Sequence, residues 1–265
     1  MQSTLMFAAI AIAFLVPASL SAQDEESSDE EYSTYAHGEF TVHYRAEHVP
    51  IEGVRLVAER VEASLEIVRA FLAQSDEYEG PPYETALGVV IDPDQFSPYQ
   101  FGSNIALPEA RVLNIVREVE DARVDIGIIH ELTHVLAASY NRENRDRFYD
   151  DGIAVYLQHR FGPTPNYPDF GEDLYIATAR AAEINGGLIP LAITEETRGS
   201  SETRIGRQLA YLQEGAFTQF LIEGYGLDTY FRIYHGVTLE DATGKSLAQL
   251  EAEWTAMIEA APIWR

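Results

Sequence analysis

The chain has 265 residues, 46% of them hydrophobic and 23% charged, so it can bury a substantial core and is not generally disordered. Its 43 acidic residues against 18 Lys and Arg give a net charge of −25, which argues against nucleic acid and anionic lipid surfaces as partners. The absence of cysteine excludes disulfides, thiolate nucleophiles and Cys-type zinc sites, so any metal must be bound by His, Asp or Glu.

The start of the chain has the pattern of a secretory signal. Residues 5–16 form a continuous apolar run, and Pro17 and the short stretch 18–22 follow it like a cleavage region. The run is shorter than the ~20 residues that span a bilayer, so we expect no stable membrane insertion. No Lys or Arg precedes it, which leaves a retained anchor or a buried strand as alternatives. We expect residues 1–22 to be a signal peptide and the mature protein to be exported, to the periplasm or the extracellular space.

An acidic segment follows the apolar run. Residues 23–31 contain six carboxylates and two serines, and like charges at this density repel one another and prevent burial. We therefore predict a disordered acidic linker over residues 23–36.

The rest of the chain divides into two parts of one domain. Residues 37–120 are predicted to form an N-terminal α/β part, with a helix over 51–72 and strands over 38–44, 86–92 and 112–116. Residues 121–265 are predicted to be mainly helical, with helices over 122–140, 149–161, 172–185, 205–223, 227–235 and 246–260. A small β-containing region followed by a helical half predicts the α+β fold class.

The pentapeptide from His130 to His134 is an H-E-x-x-H motif within the apolar segment 126–139. On a helix, His130 and His134 share one face with Cβ atoms ~5–6 Å apart, so both imidazoles can reach one Zn²⁺. Glu131 projects to the side of that face, where a general base for a metal-activated water must lie. The alternative is a helix whose histidines make only local hydrogen bonds, but two His and a Glu are costly to bury without a shared purpose.

A catalytic zinc site needs a third protein ligand. The metzincin continuation would require Gly at 137 and His at 140, where this chain has Ala137 and Tyr140. Downstream, the segment from Phe148 to Tyr156 reads FYDDGIAVY. It resembles the W-L-x-E-G-x-A-x-Y signature of gluzincin zinc peptidases of the peptidase-MA-like group, and the resemblance continues to about residue 260. It implies a zincin-like fold with the metal site on the H-E-x-x-H helix.

The resemblance also implies roles for individual residues. The glutamate that is the third zinc ligand of the family falls on Asp151, whose side chain is one methylene shorter, and Asp150 is the other candidate. Asp151 could instead be an acid favoured by the N-terminal dipole of its helix. The tyrosine or histidine that stabilises the oxyanion in this family falls on Tyr211, for which a packing role is the alternative.

Two functions of different classes follow. The first is a zinc-dependent peptidase that hydrolyses peptides or proteins, with His130, His134 and Asp151 as metal ligands and Glu131 and Tyr211 as catalytic residues. The second is an exported, non-catalytic domain that binds peptides or proteins on a degenerate gluzincin fold. The intact Glu131 favours the first, because a structural zinc requires no base. Hydrolysis of a non-peptide amide would use the same residues.

Overall fold

Five short strands form one mixed sheet in the computed structural model, which describes residues 32–78, 80, 86–117, 126–137 and 146–262. The strands are β1 (Ser33–His37), β2 (Phe40–Tyr44), β3 (Leu87–Asp92), β4 (Tyr99–Phe101) and β5 (Asn104–Pro108). Their order is β1-β2-β3-β5-β4, in which β3 is parallel to β2 and to β5 while both outer strands pair antiparallel. A mainly helical region follows the sheet, so the α+β class predicted from the sequence is confirmed.

The helices account for most of the remaining described residues. They are α1 (Ile51–Leu72), α2 (Glu109–Arg117), α3 (Ile128–Ala137), α4 (Arg147–Phe161), α5 (Leu174–Asn185), α6 (Thr194–Ser200), α7 (Arg204–Tyr225), α8 (Leu227–Tyr234), α9 (Leu239–Thr243) and α10 (Leu247–Ala260). The helices predicted from the sequence appear here, except that both flanks of the predicted helix 122–140 lie outside the described residues. Within the described ranges, none of these helices combines the length and the hydropathy needed to cross a bilayer.

The start of the sheet corrects the predicted linker. Residues 33–36, assigned to the linker, belong to β1, which pairs with the predicted strand β2 through a tight turn at Gly38 (φ 54°). Alternate residues of β2 are buried (Phe40, Val42 and Tyr44), as expected for a strand with one face on the core. Strand β1 pairs with β2 along its whole length. The predicted signal peptide and the linker as far as residue 31 lie outside the described residues.

The strand predicted over residues 112–116 is wrong, because these residues belong to α2. Val112 and Ile115 are buried at helical spacing, Glu109 lies in the first turn and Arg117 in the last, as the helix dipole favours. A short apolar run does not distinguish a strand from a buried helix face. On the side of β3 away from β2, the neighbouring strand is β5, where Ile105 and Leu107 are fully buried.

The helical half is held together by close approaches at glycine. Gly152 of α4 lies against α7, where an added Cβ would be 2.3 Å from Thr218 Oγ1 and 2.8 Å from the carbonyl oxygen of Glu214. Gly215 of α7 lies against α4 in the same way, with Val155 Cγ1 2.4 Å from the position of a Cβ. The two helices can therefore pack with their backbones close together, which fixes α4 and its acidic first turn relative to α7.

Candidate metal centre

Helix α3 presents the two histidines of the motif from an almost entirely buried element. The helix begins after Gly127, whose positive φ of 82° and position against Pro98, 2.5 Å from an added Cβ, both require glycine. Buried apolar residues anchor α3 in the core, among them Ile128, Leu132 and Leu136. The imidazoles of His130 and His134 lie one turn apart, with ring centroids separated by 4.8 Å.

Helix α4 supplies the two aspartates. Asp146 caps this helix by accepting a hydrogen bond from the backbone N–H of Phe148 at 3.0 Å. Asp150 and Asp151 follow in the first turns and are both buried, with 3% and 9% of their surface exposed. Burial of two adjacent carboxylates is costly unless cations or hydrogen-bond donors compensate them, so their partners are informative.

Asp151 faces both histidines through one oxygen. Its Oδ1 lies 3.8 Å from His130 Nε2 and 3.6 Å from His134 Nε2. The three candidate ligand atoms of His130, His134 and Asp151 all lie within 4.8 Å of one another. In a tetrahedral zinc site with bonds of ~2.0–2.2 Å, ligand atoms are ~3.4 Å apart, so the observed spacing needs only small adjustments to hold a metal ion.

Asp150 takes a different position, behind the imidazole of His134. Its Oδ2 lies 3.1 Å from His134 Nδ1, and its Oδ1 accepts a hydrogen bond from the hydroxyl of Tyr234 at 2.8 Å. A carboxylate this close to Nδ1 stabilises a proton there, while Nε2 faces Asp151. Of the two aspartates that the sequence left open, Asp151 therefore lies with the candidate ligand atoms and Asp150 lies behind a histidine.

The second oxygen of Asp151 binds an arginine from α6. Arg198 donates from Nη1 to Asp151 Oδ2, and its Nε lies 3.3 Å from Oε1 of the fully buried Glu214 on α7. The guanidinium also lies over the ring of Tyr211, 5.1 Å from the centroid. Arg198 thus occupies Oδ2 and leaves Oδ1 directed at the two histidines.

The charges of the site favour positive charge beside the two aspartates. Burial, together with the neighbouring His134, lowers the pKa of His130 to about 3, so His130 is a neutral imidazole, the form that a metal ion requires. Burial also opposes the charging of His134, but Asp150 and Asp151 outweigh it and raise the pKa of His134 well above its usual value. The two carboxylates thus stabilise positive charge at His134, which a proton or a metal ion can supply.

The metal-ligand group lies in a cleft with two halves. One, which we call the arginine half, has a volume of about 660 Å³ and includes Arg111, Tyr167, Arg204 and Arg207 in its lining. The other, which we call the aspartate half, has a volume of about 780 Å³ and includes Asp150, Asp151, Glu195 and Glu196. His130, Glu131, Arg207 and Tyr211 line both halves, so a ligand in either half can reach the same centre.

Tyr211 lies in the wall of the cleft, one turn before Gly215 on α7. Burial raises the pKa of its phenol and the charge of Asp151 adds to the effect, so the hydroxyl keeps its proton at neutral pH and can donate a hydrogen bond. Its ring also packs edge-on against Tyr167 with centroids 5.9 Å apart. The position is compatible with both the catalytic and the packing interpretation.

The structure brings all five predicted site residues to one cleft and adds residues that the sequence did not single out. Arg198 comes from the unpredicted helix α6 and had no motif. Glu214 could have been found, because an acid at a core position of α7, between Leu212 and Phe217, implies a buried cationic partner. Comparisons with family models, with curated proteins and with solved structures found no match to this chain.

Proposed function

We propose that this chain is an exported, zinc-dependent metallopeptidase whose metal ligands are His130, His134 and Asp151. The observation that carries the proposal is that both Nε2 atoms of an H-E-x-x-H helix lie within 3.8 Å of one carboxylate oxygen from a second helix. The motif also supplies Glu131 to the wall of the same cleft. An arrangement of this kind fits metal-assisted hydrolysis better than a purely structural site, which would be closed on all sides.

The donor set fits zinc. Two imidazoles and one carboxylate form a three-ligand set of the kind that catalytic zinc sites use, with the fourth position left for water or substrate. The low pKa of His130 and the charged Asp151 match the deprotonated forms that metal binding requires. When bound there, a zinc ion would make water more acidic and polarise a carbonyl group.

Glu131 is the general base in this proposal. Its carboxylate accepts a proton from the water that attacks the scissile carbonyl carbon and later delivers that proton to the departing amine nitrogen. The residue is buried, with 5% of its surface exposed, and it lines both halves of the cleft. It follows His130 directly, so the base is held on the same rigid helix as two ligands.

Two further residues assist in this scheme. Tyr211 donates a hydrogen bond from its hydroxyl to the carbonyl oxygen as negative charge develops there, and its raised pKa keeps the phenol protonated for this role. Arg198 holds Asp151 through Oδ2, so this shorter side chain meets the histidines with a fixed oxygen. Arg198 is a positioning residue here, since it acts on a ligand.

A peptide is the favoured substrate because a sheet edge borders the cleft. Strand β4 is the outer strand of the sheet and pairs only with β5 among the described residues. Its residues Tyr99 and Gln100 contribute to the aspartate half of the cleft. A strand edge offers backbone N–H and C=O groups to an extended peptide, which a small non-peptide amide could not use to the same extent.

A non-catalytic binding domain is the second candidate function. The observation in its favour is the ion pair between Arg198 and Asp151, because an arginine supplies positive charge to the same carboxylate that would bind the metal. In that case the cleft would bind peptides without stoichiometric zinc. Measuring the metal content of the protein separates the two candidates.

The export part of the proposal rests on residues 1–22. The mature chain recovered outside the cytoplasm should begin near Ala22 or Gln23. A soluble cytoplasmic protein with an intact Met1 would contradict export and would leave the chemistry of the site unaffected.

The experiment that tests the proposal combines metal analysis with peptide cleavage. Protein expressed without added metal is analysed for zinc by mass spectrometry and incubated with a diverse peptide library, before and after removal of metal with a chelator. We expect one zinc per chain, cleavage that stops when zinc is removed, and recovery when zinc is restored. A metal-free protein with no cleavage after zinc addition would contradict the proposal.

A further inference from the structure

Three arginines converge on one half of the cleft in a strongly acidic chain. Arg204 and Arg207 lie on the first turns of α7, at positions i and i+3, and Tyr211 continues the same face one turn later. Arg111 reaches the same cavity from α2. Like charges repel, so bringing three of them from two helices to one cavity is unfavourable without an anion.

Among the residues that the structure describes, these arginines form no ion pair. Within the described part of the chain, Arg111, Arg204 and Arg207 have no carboxylate oxygen within 4.0 Å, whereas Arg198 next to them binds two carboxylates. Arg207 makes one long hydrogen bond, to the carbonyl oxygen of Ser201 at 3.4 Å. Burial raises the pKa of Tyr167 in the cavity wall to about 12, and the charges of Arg204 and Arg207 partly offset this rise.

The two halves of the cleft therefore differ in charge. Beside Glu131, which belongs to both halves, the arginine half has one acid, Glu202, in its lining. The aspartate half contains four other acids, Asp150, Asp151, Glu195 and Glu196, and also Arg147, Arg198 and Arg207. Acids outnumber arginines there, whereas arginines outnumber acids in the arginine half, so a ligand that spans the centre meets net negative charge on one side and net positive charge on the other.

We infer that Arg111, Arg204 and Arg207 bind a carboxylate of the substrate, so that the cleft selects peptides with negative charge on one side of the bond held at the centre. Guanidinium groups match the planar geometry of a carboxylate and can bind it through two hydrogen bonds. The inference rests on the proposed function in that it treats the bound peptide as a substrate. The binding of an acidic peptide can nevertheless be measured without turnover. The carboxylate can come from an Asp or Glu side chain or from the free C-terminus, and the test distinguishes these sources.

The test measures peptide binding to the zinc-loaded Glu131→Gln variant by fluorescence polarisation. One peptide series moves a single Glu through each position of a neutral sequence, with Gln at the same position as the matched peptide. A second series compares a C-terminal carboxylate with a C-terminal amide. Arg204→Gln and Arg207→Gln are introduced singly and together, and the control is Arg55→Gln on α1, whose exposed side chain does not line the cleft.

We expect the charged member of at least one series to bind more tightly and the preference to shrink about two- to five-fold for each arginine replaced, as for exposed ion pairs. The preference should also weaken in high salt and stay unchanged in the Arg55→Gln control. A preference in the first series assigns the carboxylate to a side chain, and in the second series to the C-terminus. Equal binding of charged and neutral peptides in both series would overturn the inference.

Cleavage by the wild-type protein keeps this inference separate from the proposed function. Charge-selective binding together with no cleavage of any peptide by the zinc-loaded wild type would support the arginine site and contradict the peptidase. Cleavage that ignores the charge of the peptide would support the peptidase and contradict the arginine site.

Discussion

At the scale of single residues, the aspartate at position 151 decides whether the H-E-x-x-H helix has a third ligand. The aspartate side chain reaches less far than a glutamate would. Its Oδ1 nevertheless lies near the histidines because of the position of α4 and because Arg198 binds the second oxygen. One carboxylate oxygen therefore binds Arg198, and the other faces the two histidines, where the proposed metal ion would bind. Its neighbour Asp150 has its oxygens engaged by Tyr234 and His134.

Replacing these two aspartates separately tests this division of roles. We expect Asp151→Ala to weaken zinc binding by more than about 100-fold, because it removes a ligand, and Asp151→Asn to bind zinc poorly because it removes the charge. Asp150→Asn should weaken binding by about 10- to 100-fold through the orientation of His134. Zinc affinities are measured by competition with a chromogenic chelator, with Asp94→Asn on an exposed turn as the control. Unchanged affinity in both Asp151 variants would remove Asp151 from the metal site.

A second prediction at this scale concerns Glu214. Burial raises the pKa of its carboxyl well above the ordinary value even though Arg198 opposes the shift. A raised folded-state pKa means that the stabilising contribution is complete below the unfolded pKa of about 4.3 and is lost as the pH rises through the folded pKa. Glu214→Gln does not ionise, so its melting temperature relative to wild type should increase between pH 5 and pH 8.

The measurement is a thermal melt of both proteins at each pH in the presence of a chelator. The exposed Glu196→Gln on α6 provides the control, for which we expect no such trend. The difference in melting temperature between Glu214→Gln and wild type could instead be independent of pH or fall as the pH rises. Either result would show that the buried carboxyl is ionised without penalty.

At the scale of elements, the contact between α4 and α7 positions the aspartates. Gly152, which directly follows Asp151, meets α7 through Thr218 and the backbone of Glu214. The same contact brings Glu214 behind Arg198, so packing and site geometry depend on one interface.

Adding a methyl group at this interface should destabilise the fold. Gly152→Ala puts a Cβ 2.3 Å from Thr218 Oγ1 and 2.8 Å from a backbone oxygen, so the helices must separate, and overpacking of this kind costs about 1–3 kcal/mol. Gly224→Ala, in the same helix pair but with open space around its Cβ, should instead stabilise the protein by about 0.4–1 kcal/mol. Denaturant unfolding measures both changes. Similar stability for the two variants would mean that α4 and α7 do not pack as described.

The sequence predicted the elements that have a strong period and missed those that do not. Helix α1 and strand β2 show clear helical and alternating patterns, and both were found. Strand β4 has three residues and α6 seven, too few for a pattern to emerge, and the apolar run in α2 suited either a strand or a helix. The same limit applies to the site, because the motif fixes its spacing on one helix while Arg198 and Tyr234 arrive from elements far along the chain.

At the scale of the whole molecule, the charge distribution and the site belong together. The chain carries a net charge of −25, yet arginines gather at the cleft from α2, α6 and α7. The rest of the acidic chain should repel anionic ligands at long range, so their recognition depends on these local cations. This acidic protein therefore has an arginine-lined approach to the group of His130, His134 and Asp151.

The central claim is that Glu131 acts as a base beside a metal held by its neighbours, and the most direct measurement compares Glu131→Gln with wild type. Zinc content and peptide turnover are determined on the same preparations. The variant keeps the size of the side chain and removes the proton acceptor, so we predict unchanged zinc content and turnover reduced by ~10² or more. Turnover close to that of wild type in a zinc-loaded Glu131→Gln protein would contradict the account.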